Sequence, residues 1–546
     1  MKEIAVAKTT DLQNGQMQQI EVEGSQILLS KINGKFYATG AFCTHYGAPL
    51  ETGIICNDKI VCPWHNACYN AIAGEQLEPP GLDSLPTFDT RVEDENVLVK
   101  LPEDVPKQRT KDMANYVPQS KELTDKPHNN IFVVLGAGAA GMNAVETLRQ
   151  EGFQGKIVLI SESIELPYDR TKLSKAYLQG NAKEDSLSLR DCEFYDRHDI
   201  ELRFGKAVTR VDVSSKSITF EDDSTLDYDS LLLATGGKAR KLDVPGADLA
   251  NIFTIRKPED VNSILNTVKE AKKAVVVGSS FIGMEAAASL IQQGLEVTIV
   301  SPDEVPFKKI LGDRLGKMFQ KVHEEKGVIF KPGVKATEFT GNGRVEYAVL
   351  ENGSKIAADL VIVGIGVELN TDYLENIELN EKDNSIRVNQ YLQTEIKNVY
   401  AAGDIASFPY TAMGEHTRIE HWRLAAQHGR IAANNMLKQS NDSRNSQSAS
   451  TVNNIVPFFW SGQYDLKLRY VGHAEKWDEV FLDGNLDSPE FLAFYLFDGK
   501  VMAVAGINRD KEIAAISELM RLQKMPDAAT VKNTQTNWLD FSAVSS

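Results

Sequence analysis

Short apolar runs alternate with polar turn residues over roughly the first hundred positions of the chain. The runs QILLSKI, KFYATG, KIVCPW and NVLVKL are separated by Gly, Asn and Pro, which is the pattern of β-strands joined by turns. We therefore predict a small all-β domain over residues 1–103. Residues 104–129 are rich in Lys, Asp, Gln and Pro and show little periodicity, so we expect a linker that lets the small domain move.

The pattern changes near residue 131 to strand, helix and strand. The runs IFVVLG and AVVVGS each lead into a glycine turn, an amphipathic helix and a further strand, KIVLISE or EVTIVS. This order is typical of βαβ units in a parallel sheet. We predict one such domain over 130–253 and 376–438 and a second over 254–375. The polar tract 439–454 predicts a surface loop, and residues 455–546 predict a C-terminal α+β domain.

Composition and charge narrow the range of functions. The 546 residues carry 76 acidic and 59 basic side chains, a net charge of -17, which disfavours nucleic acid and anionic membrane as partners. The chain has no run of 18 apolar residues, and its N-terminus, MKEIAVAKTTDL, has no apolar signal core. We expect no membrane span and a cytoplasmic location. Four of the five cysteines lie between residues 43 and 68, which favours metal chemistry in a reducing compartment.

Two Cys-His pairs stand close together in the N-terminal domain. They are Cys43-Thr44-His45 and Cys62-Pro63-Trp64-His65. A Rieske [2Fe-2S] centre needs two thiolates on one iron and two imidazoles on the other, so each of two loops supplies one ligand of each kind. We predict Cys43, His45, Cys62 and His65 as the cluster ligands. A structural zinc would take the same ligand types, but the spacing and the CPWH loop match the Rieske pattern better.

Residues around these pairs bear on the reduction potential of the cluster. Ala48 and Trp64 stand where respiratory Rieske proteins have a bridging pair of cysteines, and Ala67 stands where they have a serine that donates to a sulfide. Tyr69 retains a hydroxyl donor. We therefore expect no disulfide bridge and a potential near the low end of the Rieske range, roughly -150 mV.

The first glycine turn has the features of an FAD site. Gly136, Gly138 and Gly141 follow an apolar strand and open a helix, and Glu162 ends the next strand. Backbone amides and the helix N-terminus of such a turn bind a pyrophosphate, and the acid binds a ribose. FAD is the expected occupant, because a second motif, AAGDI at 401–405, brings Asp404 to hold the ribityl hydroxyls.

The second glycine turn predicts a nicotinamide coenzyme site. Gly278 and Gly283 frame the sequence GSSFIG, and Glu285 follows on the helix. Ser301 occupies the usual position of the ribose-binding acid, with Asp303 just beyond. Acids disfavour a 2'-phosphate, so we expect NADH, whereas Lys308 and Lys309 keep NADPH open as the less favoured alternative.

Motifs along nearly the whole chain resemble those of a known family. They include CTHYGAPLETG, CPWHNACYN, GAGAAG, LPYDRTKLSK, ATGG, SSFIGMEAA, AAGDI, RIEHWRLAAQHG and VPFFWSGQYD. The chain is similar to Rieske-bearing, apoptosis-inducing-factor-like flavoproteins, which are related to ferredoxin reductases of oxygenase systems. The resemblance implies an FAD- and NAD(P)H-dependent oxidoreductase. It further implies catalytic roles for Lys175 beside the flavin and Glu285 beside the nicotinamide, and FAD contacts from Arg170, Ala234 of ATGG, Trp422 and Trp460.

These observations favour one route for electrons. A nicotinamide delivers two electrons as a hydride, whereas a [2Fe-2S] cluster accepts one, so the flavin must convert between the two. We expect electrons to pass from NADH through FAD to the in-chain cluster and then to an unidentified one-electron acceptor. No Cys-x-x-Cys pair follows the FAD turn, which disfavours a disulfide reductase. The alternatives are a redox signalling or interaction protein whose assembly responds to NADH, and an NADH oxidase or quinone reductase.

Overall fold

The computed structural model describes residues 2–109, 130–410, 414–439, 451–533 and 536–539. Most of the predicted linker, residues 110–129, and most of the predicted polar loop, residues 440–450, lie outside these ranges. Among the helices of the described ranges, none combines the length and the apolar character that a membrane crossing requires.

The N-terminal domain is all-β, which confirms the prediction. Its ten strands are β1 (Lys2–Lys8), β2 (Met17–Val22), β3 (Ser25–Ile32), β4 (Lys35–Gly40), β5 (Ile54–Cys56), β6 (Lys59–Val61), β7 (Cys68–Asn70), β8 (Gln76–Glu78), β9 (Thr87–Glu93) and β10 (Asn96–Leu101). They form a six-stranded sheet, β1-β10-β9-β4-β3-β2, and a four-stranded sheet, β5-β6-β7-β8.

Strand β3 lies between two cores, because its successive side chains point to opposite faces. Ile27 and Leu29 pack with Val97 on one side. Leu28 packs on the other side with the loops that carry the predicted ligands, including Cys43 and Cys62. The alternation in QILLSKI therefore positions the predicted cluster site against the sheet.

Two α/β units follow, and both confirm the predicted βαβ pattern. Up to residue 253 the elements are β11 (Ile131–Leu135), α1 (Ala139–Gln150), β12 (Lys156–Ser161), α2 (Cys192–Arg197), β13 (Ile200–Phe204), β14 (Val208–Asp212), β15 (Ser217–Phe220), β16 (Thr225–Asp227), β17 (Ser230–Leu233), β18 (Gly237–Ala239) and β19 (Ile252–Phe253). Up to residue 375 they are α3 (Pro258–Val268), β20 (Lys273–Val277), α4 (Phe281–Gln292), β21 (Glu296–Val300), α5 (Lys308–Glu325), β22 (Ile329–Lys331), β23 (Ala336–Thr340), β24 (Tyr347–Leu350), β25 (Lys355–Ala357), β26 (Leu360–Val363), β27 (Val367–Leu369) and β28 (Leu374–Glu375).

The chain then returns to the first of these units. The returning elements are β29 (Ile386–Arg387), β30 (Val399–Ala401), β31 (Ala406–Tyr410), β32 (Glu415–Thr417) and α6 (Trp422–Gln439). The two main sheets have the orders β13-β12-β11-β17-β30 and β19-β26-β20-β21-β22, and all their strands are parallel. Each glycine turn leaves the carboxyl end of an interior strand, β11 or β20, where open α/β sheets bind their ligands.

The C-terminal domain is α+β, also as predicted. It consists of β33 (Phe458–Gln463), β34 (Leu466–Gly472), β35 (Glu479–Asn485), β36 (Glu490–Phe497), β37 (Lys500–Ile507), α7 (Asp510–Arg521) and α8 (Ala528–Asn533). Its antiparallel sheet has the order β33-β34-β37-β36-β35. One face, with Tyr470 and Tyr495, joins the core of the second α/β unit, and the other face packs against α7 and α8.

The N-terminal domain is docked on that second face. Ile54, Val61 and Cys68 share one apolar core with Phe458 and Val471 of the C-terminal sheet. Buried polar contacts surround this core, including Lys59 Nζ to Glu518 Oε1 at 3.1 Å and Asn66 Nδ2 to Ser517 Oγ at 2.9 Å. We expected a domain that moves on its linker, whereas the structure shows it packed against the C-terminal sheet. The composition of a linker does not reveal whether the domains that it joins have complementary surfaces.

Candidate functional site

Two loops of matching geometry carry the predicted cluster ligands. The first follows β4 and holds Cys43 and His45, and the second follows β6 and holds Cys62 and His65. The backbone N–H of each cysteine donates to the carbonyl five residues later, at 2.9 Å and 2.8 Å. The carbonyl of each cysteine accepts the N–H four residues later, at 2.9 Å and 3.1 Å. Each loop therefore presents one thiol and one imidazole in the same way.

The four side chains meet as a sulfur pair and a nitrogen pair. His45 Nδ1 lies 3.0 Å from His65 Nδ1, and Cys43 and Cys62 are adjacent and only 3% and 1% exposed. The hydrogen bond with Cys62 lowers the pKa of Cys43 to about 6, whereas burial and the Cys43 neighbour raise the pKa of Cys62. An iron ligand must be a thiolate, so the two cysteines have to release both of their protons when they bind iron.

This donor set fits a Rieske cluster. Each iron of the cluster takes two protein ligands and shares two sulfides, so one sulfur pair and one nitrogen pair suffice. Within the described ranges, no three His, Cys, Asp or Glu side chains surround a single metal position. A structural zinc ion needs four ligands around one point.

The hydroxyl of Tyr69 supports the sulfur pair. It lies 3.1 Å from Cys43 Sγ and accepts the backbone N–H of Thr44, also at 3.1 Å. A Cβ at Gly81 would lie 2.4 Å from this hydroxyl, so the glycine leaves the space that the tyrosine occupies. Tyr69 is therefore within hydrogen-bond distance of a predicted ligand sulfur, and a hydrogen bond to a ligand sulfur tunes the reduction potential.

The histidine edge of the site faces the rest of the chain. The ring of Trp460 lies 4.3 Å from that of His65 and 5.9 Å from that of His45, centroid to centroid. Because Trp460 belongs to β33, both imidazoles are covered by the C-terminal domain rather than by solvent.

A buried carboxylate lies beyond the first histidine. Asp169 Oδ2 is 3.8 Å from His45 Nε2, and Asp169 also accepts hydrogen bonds from the Tyr46 hydroxyl and the Thr171 N–H. Burial alone would raise the pKa of Asp169, but the nearby His45 and the hydrogen bonds from Thr171 and Tyr46 lower it to about 2. A carboxylate behind a ligating histidine orients the ring and raises its basicity. Asp169 lies in the LPYDRTKLSK motif, but the sequence does not predict that it lies beside the cluster site, because the two meet only where the domains dock.

Trp460 also lines a cavity of about 1020 Å³. The predicted cofactor residues that line it are Gly136, Gly138, Glu162, Arg170, Lys175, Ala234, Glu285, Asp404, Trp422 and Trp460. Gly141, Gly278, Gly283 and Asp303 do not line it. The volume is at the upper end of ligand pockets, as a dinucleotide requires.

The first glycine turn forms a cradle at one end of this cavity. Gly136 has φ +113°, and a Cβ there would lie 2.3 Å from the Ala234 carbonyl. A Cβ at Gly141 would lie 1.8 Å from the Gly136 carbonyl, whereas one at Gly138 would meet nothing within 4 Å. Gly138 begins α1 without a side-chain cap. The first N–H groups of α1 are therefore available to a pyrophosphate.

Arg256 is a cavity residue that the sequence analysis missed. Among the described residues, its Nε and Nη2 have no hydrogen-bond partner although both are buried. Nη2 lies 3.7 Å from Asp404 Oδ2, and burial lowers the pKa of Arg256 to about 10. Leaving two buried guanidinium nitrogens without a hydrogen-bond partner is costly, so this side chain fits a phosphate of the cofactor. Its only signal in the sequence is a basic residue shortly after β19, at the ligand edge of the sheet.

Asp404 is positioned by a buried histidine. It lies in the short 3₁₀ turn Gly403–Ile405, where Gly403 has φ +77°. The Gly403 N–H donates to His428 Nδ1 at 3.4 Å. His428 is fully buried, and burial lowers its pKa to about 3, so the ring is neutral and accepts this bond.

Lys175 and Glu285 form an ion pair across the cavity wall. Lys175 Nζ lies 2.9 Å from Glu285 Oε2, and the hydroxyls of Ser174 and Ser461 donate to the same carboxylate at 2.5 Å and 2.7 Å. Glu285 is 3% exposed. The fold therefore brings the two predicted catalytic residues together, although they are 110 positions apart.

The second glycine turn lies beside the same wall. A Cβ at Gly278 would lie 2.3 Å from the Gly364 carbonyl, and one at Gly283 would lie 2.3 Å from the Gly278 carbonyl. Ser280 stands in place of the usual middle glycine, and its hydroxyl donates to the Gly364 carbonyl at 3.1 Å. The preceding Ser279 Oγ lies 2.8 Å from Ser301 Oγ. Ser301 in turn accepts the N–H of Asp303 at 3.2 Å. Ser279 thus ties the turn to the end of β21, where a coenzyme ribose would lie.

Comparisons with known proteins agree with this geometry. Residues 131–429 match the family model of pyridine nucleotide-disulphide oxidoreductases, residues 2–89 that of the Rieske [2Fe-2S] domain, and residues 458–540 that of the reductase C-terminal domain. Apoptosis-inducing factor 3 of Mus musculus is 38% identical over 95% of this chain and 84% of its own length. Rhodocoxin reductase of Rhodococcus erythropolis is 33% identical over 71% of this chain and 89% of its own.

A solved structure extends the comparison. In the covalent putidaredoxin reductase–putidaredoxin complex, a chain superposes with a TM-score of 0.69 at 28% identity. The superposition covers 76% of this chain and 99% of the other.

Proposed function

Since the chain belongs to the pyridine nucleotide-disulphide oxidoreductase family and is an FAD-dependent NAD(P)H oxidoreductase with a Rieske [2Fe-2S] domain, we propose that it carries electrons from NADH through FAD to its own cluster. An external one-electron acceptor then takes them from the cluster. Bound FAD supplies the conversion of a two-electron hydride into single electrons.

The contact of Trp460 carries the proposal. Its indole lines the FAD cavity and lies 4.3 Å from the ring of His65. Electron transfer slows steeply as the distance between centres grows, so two centres on either side of one aromatic ring are well placed for it. The shared core of the two domains supports a lasting contact at this point.

Each cofactor has a defined set of holding residues in this proposal. Cys43, His45, Cys62 and His65 ligate the cluster. The turn with Gly136, Gly138 and Gly141 holds the FAD pyrophosphate together with Arg256, while Glu162 and Asp404 hold its ribose and ribityl hydroxyls. Arg170, Ala234, Trp422 and Trp460 flank the flavin.

Lys175 and Glu285 act where the nicotinamide meets the flavin. The ammonium of Lys175 stabilises negative charge at the ring edge, and the carboxylate of Glu285 fixes that ammonium at 2.9 Å.

NADH is the proposed coenzyme. Gly278 and Gly283 shape its pyrophosphate turn, and Asp303 follows Ser301 at the ribose end. Lys308 already lies 3.5 Å from Asp313 Oδ1, so one of the two lysines that would welcome a 2'-phosphate has an acid partner. Turnover at equal concentrations of NADH and NADPH tests this preference, and faster turnover with NADPH would overturn it.

We propose a division of the chain into domains according to the cofactor that each part would hold. We assign 1–103 to the Rieske domain, 104–129 to the linker, 130–253 with 376–438 to FAD binding, and 254–375 to NAD(P) binding. We assign 455–546 to the C-terminal reductase domain, and we keep the predicted loop at 439–454 as a prediction, because residues 440–450 lie outside the described ranges.

Anaerobic mixing with NADH tests the route. Flavin absorption and the paramagnetic signal of the reduced cluster are followed together in wild type and in Cys62→Ser. We expect the cluster of wild type to become reduced within one turnover, and the variant to show flavin reduction without that signal. A wild-type cluster that stays oxidised through many turnovers would overturn the in-chain route.

The similarity to apoptosis-inducing factor 3 supports a second candidate function. In this function, reduction by NADH changes the assembly of the protein instead of driving turnover. Slow NADH oxidation with every one-electron acceptor, together with a change of mass in solution on reduction, would favour it over the first. Rapid reduction of an added one-electron acceptor with unchanged mass would favour the first.

A further inference from the structure

One face of the C-terminal sheet meets both the N-terminal core and the cluster loops. Strands β33 and β34 are antiparallel, and residues directly opposite each other point to the same face. The opposed pairs on this face are Phe458 with Val471, Trp460 with Arg469, and Gly462 with Lys467. Phe458 and Val471 pack in the core shared with the N-terminal domain, and Trp460 contacts His65. Arg469 and Lys467 therefore lie on the same face of the sheet that packs against the N-terminal domain.

Arg469 is buried in the interface between the C-terminal sheet and the N-terminal domain, with few hydrogen-bond partners. It is 4% exposed, and its Nη2 lies 3.3 Å from Asp510 Oδ2. Its Nε, buried as well, has no hydrogen-bond partner among the residues that the structure describes. A guanidinium has five N–H donors, so this one keeps at least one unused donor inside the interface, beside its ion pair with Asp510. Burial lowers the pKa of Arg469, and the nearby acidic groups Asp510 and Cys62 oppose that shift.

Two lysines add positive charge near the same place. Lys467 Nζ and Lys175 Cδ lie 3.5 Å and 3.8 Å from the point where a Cβ of Gly462 would stand. The pKa of Lys467 is below its ordinary value because of partial burial and the charges of Arg469 and Lys175. Glu285 neutralises Lys175, whereas Lys467 donates to the backbone carbonyl of Tyr464. Arg469 is the most buried of the three cations.

We propose that Arg469 raises the reduction potential of the cluster, with Lys467 adding a smaller effect in the same direction. The proposal rests on the proposed function, because it requires a cluster on the four ligands. Two ferric irons, two sulfides and two thiolates sum to a formally neutral oxidised cluster, so one added electron leaves one negative charge. A fixed cation stabilises the reduced form more than the oxidised form, and more strongly where water is excluded.

The charge of Arg469 acts against the low potential that Ala67 and the missing disulfide predict. It makes the cluster a better acceptor for electrons from the flavin side only while the C-terminal sheet is docked on it. The reductase part of the chain thus tunes the centre that it reduces.

Redox titration of the full-length protein loaded with both cofactors tests the proposal. The midpoint potential of the cluster is followed through its paramagnetic signal at fixed pH and ionic strength. We expect Arg469→Gln to lower the midpoint and Arg469→Lys to keep it close to wild type. We expect Asp510→Asn, which removes the counter-charge of Arg469, to raise it. General damage to the interface would not move the midpoint in opposite directions in the two variants.

Lys500→Gln is the matched control for loss of one positive charge. Lys500 lies on β37 six residues before Gly506, the partner of Arg469 in the sheet, which places it about 20 Å away along the strand. Its substitution should leave the midpoint unchanged. Lys467→Gln, at an exposed position, should lower the midpoint by less than Arg469→Gln does, with a shift that shrinks at high salt.

The outcomes separate the two proposals. A wild-type protein without a Rieske signal would overturn the proposed function and this inference with it. A normal Rieske signal with the same midpoint in wild type and Arg469→Gln would overturn this inference alone. If Arg469→Gln lacks the cluster, Lys467→Gln and Asp510→Asn decide, and unchanged midpoints in both would also overturn it.

Discussion

The indole of Trp460 lies 4.3 Å from the imidazole of His65, centroid to centroid, at a tilt of 43°. His65 belongs to the N-terminal domain and Trp460 to the C-terminal sheet, so the contact exists because the two domains share an apolar core. The same indole lines the cavity that we assign to FAD. One side chain therefore stands between the two proposed redox centres.

Replacing Trp460 tests whether this contact carries electrons. We expect Trp460→Leu to slow cluster reduction by NADH on the order of tenfold, equivalent to about 1.4 kcal/mol of activation free energy, with a smaller effect on flavin reduction. Trp460→Phe, which keeps an aromatic ring, should lie between this variant and wild type. Stopped-flow absorption resolves the two steps. Equal cluster reduction in wild type and Trp460→Leu, at equal iron content, would show that the indole is not on the route.

The ion pair of Lys175 and Glu285 predicts a non-additive effect on stability. Lys175→Met removes the cation from a carboxylate that is 3% exposed, and breaking such a pair costs about 3–5 kcal/mol. The double variant Lys175→Met/Glu285→Gln should recover most of this loss, since no buried charge is left and one of Ser174 and Ser461 can donate to the amide oxygen while the other accepts from the amide N–H. Thermal unfolding of the four proteins gives the coupling free energy.

Lys206→Met is the matched control for this cycle. Lys206 pairs with Asp222, and both side chains are nearly half exposed, so its loss should change the free energy of unfolding by less than about 1 kcal/mol. Additive losses in the Lys175 and Glu285 variants would contradict a coupled pair.

Arg190 predicts how firmly the Rieske domain is held. Its Nη1 lies 2.9 Å from Asp83 Oδ1 in that domain, and its Nη2 lies 3.0 Å from Glu146 Oε1 in the first α/β unit. Arg190→Met removes the cation that the two buried carboxylates share, so we expect the domain to separate more readily. Hydrogen exchange at residues 79–85 should then become faster. Arg197→Met, which breaks an exposed ion pair with Glu193, should leave that exchange unchanged. The same exchange rate in both variants would show that Arg190 does not hold the Rieske domain in place.

His428 predicts a loss of stability in mild acid. Burial lowers its pKa from 6.5 to about 3, so below pH 6.5 the unfolded chain binds a proton that the folded chain does not. As the pH falls from 6.5 to about 3, this group should therefore lower the free energy of unfolding by about 1.4 kcal/mol per pH unit. Above pH 6.5 its contribution to stability is complete. His428→Gln should show a shallower slope in denaturant titrations followed by flavin fluorescence. An identical slope in the two proteins would assign the acid sensitivity elsewhere.

Local patterns in the sequence predict the parts of the site that are themselves local. Cys43 and His45 lie on one loop and Gly136 and Gly138 on one turn, so their spacing carries their chemistry. Lys175 and Glu285 meet only in the folded chain, and their roles came from a family resemblance. Arg256 and Arg469 belong to no motif, and the motif that contains Asp169 does not place it beside the cluster. Their places depend on which sheet edges and domain faces meet, and periodicity along the chain does not encode that.

The dependence of cluster reduction on protein concentration tests the in-chain route most directly. The fully loaded protein is mixed anaerobically with excess NADH over a tenfold range of protein concentration, and the rate constant for appearance of the reduced cluster is measured. A route within one chain predicts the same rate constant at every concentration. A rate constant that rises in proportion to the protein concentration would mean that electrons pass between molecules, and it would contradict the account.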